Sequence, residues 1–117
     1  MKEYVKKIKI SKKLISKFKS ITKDKNPIHS NMKIANQYGY KKPIVYGLLS
    51  ASFLSSIIGN DVPGPGSVWL DTNIQFVNPV YENDQITINS RILKISKGSS
   101  LINLESVAKN QYDELVF

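Results

Sequence analysis

The 117-residue chain has no cysteine, one histidine and one arginine. Without cysteine it has no disulfide, no thiolate metal site and no cysteine nucleophile, which suits a reducing compartment. Long hydrophobic runs are also missing. No apolar stretch of signal-peptide length follows the lysine-rich start, and the longest apolar segment, residues 47–58, is interrupted by serines. These absences predict a soluble, cytoplasmic chain with no membrane partner. What is present is ordinary for a packed globule: 41% hydrophobic and 22% charged residues exclude disorder, and the length suits one core, a single domain over residues 1–117.

Charge is unevenly spread. Residues 1–42 carry 13 lysines against Glu3 and Asp24, and residues 43–117 carry four basic and seven acidic residues, so +11 and −3 give the net +8. Such a basic half steers a phosphate-bearing cofactor or an acidic carrier protein as readily as it makes a solvated lysine face. Nucleic acid is disfavoured as a partner, because all basic residues but Arg91 are lysines, arginine is the usual bidentate reader of bases, and no recognition motif is present.

Along the chain, Tyr4 to Ile10 reads as an edge strand with lysines guarding it. Ser11 then caps a helix whose Leu14, Ile15, Phe18 and Ile21 share one stripe, ending near Thr22. Pro27 makes residues 23–30 a loop. A short helix capped by Ser30 or Asn31 follows and stops at Gly39. The segment Gly47 to Ile58 is apolar almost all round and is predicted to be the buried central helix, closed by Gly59 in the C-terminal cap position. Its six large apolar side chains are worth roughly 1.5–3 kcal/mol each when fully buried. Beyond the turn-rich stretch 60–66 the period becomes two, predicting three long strands around Val68–Phe76, Ile86–Ile92 and Ile102–Ala108, with an apolar stub at 114–117. Helices first and strands afterwards give an α+β chain with an antiparallel meander covering the central helix.

The chemistry-bearing residues lie in the loop. Asp24 and His29 flank an Asn-Pro turn, and a carboxylate and an imidazole about one water apart can take a proton from that water and deliver one to carbon. On spacing alone, loop Asp and Asn serve equally as turn and cap residues, and a lone histidine is more often structural. Gly47 opens the apolar helix, where unpaired amides and the positive dipole end favour a developing oxyanion and the missing Cβ permits close approach. By itself it equally permits the turn after Pro43.

Three blocks combine these features: Asp24-Lys25-Asn26-Pro27-Ile28-His29, then Pro43-Ile44-Val45-Tyr46-Gly47-Leu48-Leu49, then Phe76-Val77-Asn78-Pro79-Val80 before Asn83-Asp84. In order and spacing they resemble the signature blocks of the (R)-specific enoyl-CoA hydratase and MaoC-like dehydratase family, clearly over residues 14–95. The resemblance implies a hot-dog fold, an antiparallel sheet wrapped around the helix at 47–58, assembled as a homodimer or higher homo-oligomer. It implies a hydro-lyase that hydrates trans-2-enoyl thioesters reversibly and syn to (R)-3-hydroxyacyl thioesters. Asp24 and His29 would be its catalytic dyad, with the Gly47 amide on the thioester oxygen. Asn26 would order the loop, and Ser55 matches a position lining the family's active-site region, with packing equally open for it. No metal or redox cofactor enters that reaction; coenzyme A or an acyl carrier protein belongs to the substrate. A thioesterase, or a non-catalytic acyl-thioester-binding subunit, is the alternative within the same fold.

Three departures stand out. Lys23 replaces the glycine often found before the family's aspartate, and a cation there would favour the ionised carboxylate. Tyr46 replaces the histidine often found before the oxyanion glycine and is expected to alter only the lining. Relatives typically continue past the position of Phe117 into another strand, which implies a shortened sheet edge or a longer chain.

Overall fold

The computed structural model describes residues 3–117, and its elements follow the order of the sequence pattern. Strand β1 (Glu3–Lys9) leads to α1 (Lys12–Thr22), a 3-10 turn at Pro27–His29, α2 (Met32–Gln37), α3 (Gly47–Asn60), β2 (Gln85–Ser96) and β3 (Leu101–Lys109). The sheet is antiparallel, in the order β1-β2-β3, with Ile8 opposite Ile86 and Ile88 opposite Ala108. Because strand side chains alternate, Ile86, Ile88, Ser90 and Ile92 all face inward, and the two serines Ser90 and Ser106 join across the strands at 2.6 Å.

Helix α3 packs over that inner face. Leu49, Ala51, Leu54 and Ile57 form one cluster with Ile10, Ile86, Ile88 and Ala108, against which Leu14, Ile15 and Phe18 of α1 lean. Ser11 caps α1 by accepting from the Leu14 amide at 3.3 Å, and Asn31 caps α2 by accepting from Ile34 at 3.0 Å. Both helices therefore start at the caps expected from their sequence. Among the described residues no helix is long and apolar enough to cross a membrane.

Two expectations fail. Helix α3 runs through Gly59 to Asn60. It ends without a glycine cap because loop amides take its last carbonyls: Asp61 and Val62 donate to Ile57, and Gly64 to Ile58 at 3.0 Å. The strand expected over Val68–Phe76 is absent. Residues 67–79 contain no regular element, and Val68 and Leu70 are 76% and 74% exposed. Alternation signals a strand only where a neighbouring strand pairs with it, and within one chain this segment has none, although Ile74 packs against the core.

The C-terminal residues return to the sheet. The Val116 and Phe117 backbones bond to Ala108, and the Val77 amide donates to the Val116 carbonyl at 2.8 Å. This places Phe76 beside Phe117, ring centroids 6.3 Å apart, at the start of α3.

Candidate functional site

The loop after α1 holds itself in shape through side-chain to backbone bonds. Lys23 turns the chain out of the helix in the left-handed region (φ 58°, ψ 24°), its amide donating to Lys19 at 2.7 Å. Thr22 Oγ1 accepts from the Asp24 amide at 3.2 Å, Asp24 Oδ1 from the Asn26 amide at 3.0 Å, and Asn26 Oδ1 from the Ile28 amide at 3.1 Å. The Asn26 carbonyl accepts from the His29 amide at 3.1 Å, closing the turn that Pro27 opens. Asn26 is thus bonded to the loop on three sides.

This ladder leaves one oxygen of Asp24, Oδ2, facing His29, 3.6 Å from Nε2. The other imidazole nitrogen, Nδ1, lies 2.8 Å from the Ile44 carbonyl. A carbonyl only accepts, so the ring proton belongs on Nδ1, and neutral His29 presents a lone pair at Nε2. The clamp is reciprocal, since the Ile44 amide donates to Ile28 at 3.1 Å. At 3.6 Å the carboxylate and imidazole are too far apart for a good hydrogen bond. Both are in reach of one oxygen placed about 2.8 Å from each. The His29 side chain is 12% exposed and that of Asp24 43%.

Tyr46 does more than line the site. It is buried, its ring lies against His29 (centroids 4.1 Å) and Phe18 (5.3 Å), and its hydroxyl donates to the Asp24 carbonyl at 3.2 Å. Burial raises the phenol above its ordinary pKa, and the Asp24 charge adds to the rise, so the hydroxyl stays a donor at neutral pH. One side chain therefore touches both members of the pair while the next residue, Gly47, begins α3. Sequence reading missed this role, because the contact spans 22 positions.

Asp24, His29, Tyr46, Gly47, Ser50 and Phe76 all line one cavity of about 550 Å³. Tyr46 caps α3 with no side-chain bond, and among the described residues nothing engages the Gly47 or Leu48 amides. A Cβ on Gly47 would stand 3.0–3.2 Å from the Phe76 ring, so glycine is needed for this approach. Ser55 is exposed and does not line this cavity. Lying eight residues beyond Gly47, it is about 12 Å further along the helix axis, whereas Ser50 is one turn away.

The model of the MaoC like domain matches residues 2–111. The chain belongs to the MaoC-like domain family. It is 29% identical over 90 residues to the (R)-specific enoyl-CoA hydratase of Aeromonas caviae, covering 77% of this chain and 67% of that protein. It is 36% identical over 78 residues to the (R)-specific enoyl-CoA hydratase of Rhodospirillum rubrum, covering 67% of this chain and 54% of that one. This MaoC-like chain thus spans between about half and two thirds of those relatives' length. The solved (R)-hydratase from A. caviae superposes with a TM-score of 0.90 at 24% identity, covering 98% of this chain and 87% of that one. The fold is the hot-dog, of the α+β class, as the sequence blocks imply.

Proposed function

We propose that this chain is an (R)-specific enoyl-thioester hydratase, equally a 3-hydroxyacyl-thioester dehydratase in reverse, with Asp24 and His29 as its catalytic dyad. The observation that carries the reading is the 3.6 Å separation of Asp24 Oδ2 and His29 Nε2 in the cavity that also holds the start of α3. Two acceptors at that distance engage both hydrogens of one water and leave its lone pairs toward the substrate. As that oxygen bonds to C3, one acceptor takes a proton. The thioester oxygen gains enolate charge beside the Gly47 amide and the positive end of α3. The protonated dyad then returns a proton to C2. Water and proton come from one side of the double bond, which supports syn addition. These steps are acid/base chemistry between side chains and substrate, so the proposed reaction calls for no metal or redox cofactor. Both relatives named above carry the same activity in their names.

The substrate handle is coenzyme A or an acyl carrier protein, in keeping with the +11 of residues 1–42. A second cavity, about 260 Å³, shares Asn78 and Pro79 with the first and has Lys41 and Lys42 in its wall, their ammonium groups 4.9 and 5.3 Å from the Tyr81 ring centroid. Cations beside the mouth suit a phosphate. We place the enzyme in the cytoplasm as a homodimer. Exposed Val68 and Leu70 support self-association, because apolar side chains of this size in an unpaired stretch gain most from a second copy.

Hydration of crotonyl-CoA, followed as loss of enoyl-thioester absorbance, tests the reading. Asp24→Asn and His29→Ala should each lower kcat at least about a thousandfold while leaving the circular dichroism spectrum unchanged. Full activity in both variants would overturn the dyad. Release of free thiol instead of loss of the enoyl chromophore would identify a thioesterase.

A further inference from the structure

Ser50 is 1% exposed, and its hydroxyl has no hydrogen-bond partner among the described residues. Serines in helices usually have a ready partner in a carbonyl of the preceding turn. Ser52 and Ser56 of the same helix use it, donating to Leu49 at 2.6 Å and to Phe53 at 3.0 Å. Ser50 does not, although a buried hydroxyl without a partner is costly to fold around.

Its place in the helix suggests what the hydroxyl is for. Helical side chains lean toward the N-terminus, so a residue at i+3 covers the turn that begins at i. Ser50 therefore stands over the turn opened by Gly47, and both residues line the reaction cavity. We propose that the Ser50 hydroxyl is a second hydrogen-bond donor to the substrate's thioester oxygen, beside the Gly47 amide. The inference rests on the acyl-thioester reading given above. The hydroxyl is covered in this conformation, and a serine hydroxyl moves between its staggered positions by rotation about one bond, Cα–Cβ. A thioester oxygen becoming an enolate has lone pairs for both donors, and a neutral hydroxyl serves it without adding a buried charge.

Two ligands isolate the contact from turnover: butyryl-CoA, which has the thioester carbonyl, and S-butyl-CoA, the thioether that lacks it. The wild-type protein should bind butyryl-CoA more tightly, and Ser50→Ala should shrink that preference about fivefold, the range of a single neutral hydrogen bond. The same variant should lower kcat on crotonyl-CoA about tenfold or more with little change in KM. Its melting temperature should hold or rise, because no intramolecular bond is lost. An unchanged preference between the two ligands overturns the proposal whatever happens to kcat, as does failure of the wild-type protein to bind butyryl-CoA. A wild-type protein that binds both ligands but does not hydrate crotonyl-CoA removes the hydratase reading alone, and the ligand preference still decides Ser50.

Discussion

The loop at residues 23–30 and the segment at residues 67–79 are both irregular, yet they differ in what completes them. The first closes on itself: Thr22, Asp24 and Asn26 each accept a backbone amide two residues on, and Ile44 and Tyr46 hold its far side. The second has apolar side chains turned outward and, at Val77, a backbone bond to the C-terminus. Local hydrogen bonding can finish a polar loop within one chain, whereas of the alternating apolar residues only Ile74 finds the core, and Val68 and Leu70 are left without cover. In the proposed function, the chemistry sits on the self-sufficient part and self-association on the other.

The strongest test of that contrast is to charge the exposed segment. Val68→Asp with Leu70→Asp should raise the self-association constant Kd more than about a hundredfold, since in the proposed homodimer each copy would have to bury two charges in place of two apolar side chains. Sedimentation equilibrium reads this directly. A variant that remains as associated as the wild type would show that residues 67–79 face solvent in the assembly.

Gly47→Ala probes the junction of the two regions, because the added methyl meets Phe76 from the second at the helix start that serves the first. Phe76 is half exposed and can swing aside, and alanine favours a helix over glycine by about 1 kcal/mol, so the melting temperature should change little. The rate should not survive as well. A displacement of about 1 Å at the reacting carbonyl is worth up to about a hundredfold in kcat/KM. Pairing Gly47→Ala with Phe76→Leu should relieve the packing without restoring the rate. Recovery of activity in the double variant would mean that only the clash mattered.

What the sequence made legible follows the same division. Helix α3 and strands β2 and β3 could be read because each carries its periodicity within itself, and the Asp24–His29 loop because Pro27 and Asn26 act on neighbours a few residues away. The features that escaped depend on distant partners or on backbone angles. The strand pattern at 68–76 was real as a pattern but had no neighbour in the chain. Gly59 lost its capping role to amides of the following loop. Ser55 and Ser50 are both small polar residues on one apolar helix, and only the rise along the axis separates the one near Gly47 from the one far from it. Tyr46, expected to change only the lining, reaches Asp24 through contacts that no spacing rule encodes.

Tyr46→Phe should therefore weaken the first region without dismantling it. Losing the bond to the Asp24 carbonyl should cost about 1 kcal/mol, and a loosened dyad should lower kcat about fivefold with KM nearly unchanged. There is also a pH signature. The Tyr46 pKa is raised on folding, so its neutral form contributes stability fully at pH values below the ordinary phenol pKa of about 10. That contribution is lost as the pH climbs from there through the raised value. The stability gap between wild type and Tyr46→Phe in urea unfolding should accordingly narrow above about pH 10. A gap that stays constant would mean that the phenol is not desolvated in the folded protein.

Lys23 carries the smallest expected effect, and it revises how the residue before Asp24 is to be understood. The sequence suggested that its charge would matter to the carboxylate, and among the described residues no ion pair joins the two. The backbone supplies a separate reason why glycine would suit this position: at φ 58° the chain is left-handed, which costs a side chain with a Cβ about 1–2 kcal/mol. Lys23→Gly removes that strain but gives the unfolded chain more freedom, which offsets about 0.4–1 kcal/mol. The net should be a stabilisation of about 0.5 kcal/mol, seen as a melting temperature a few degrees higher. Hydration activity should stay within about twofold of wild type, because the turn keeps its shape. A large change in rate with no change in melting temperature would instead locate the role of Lys23 in its charge and return it to the chemistry of Asp24.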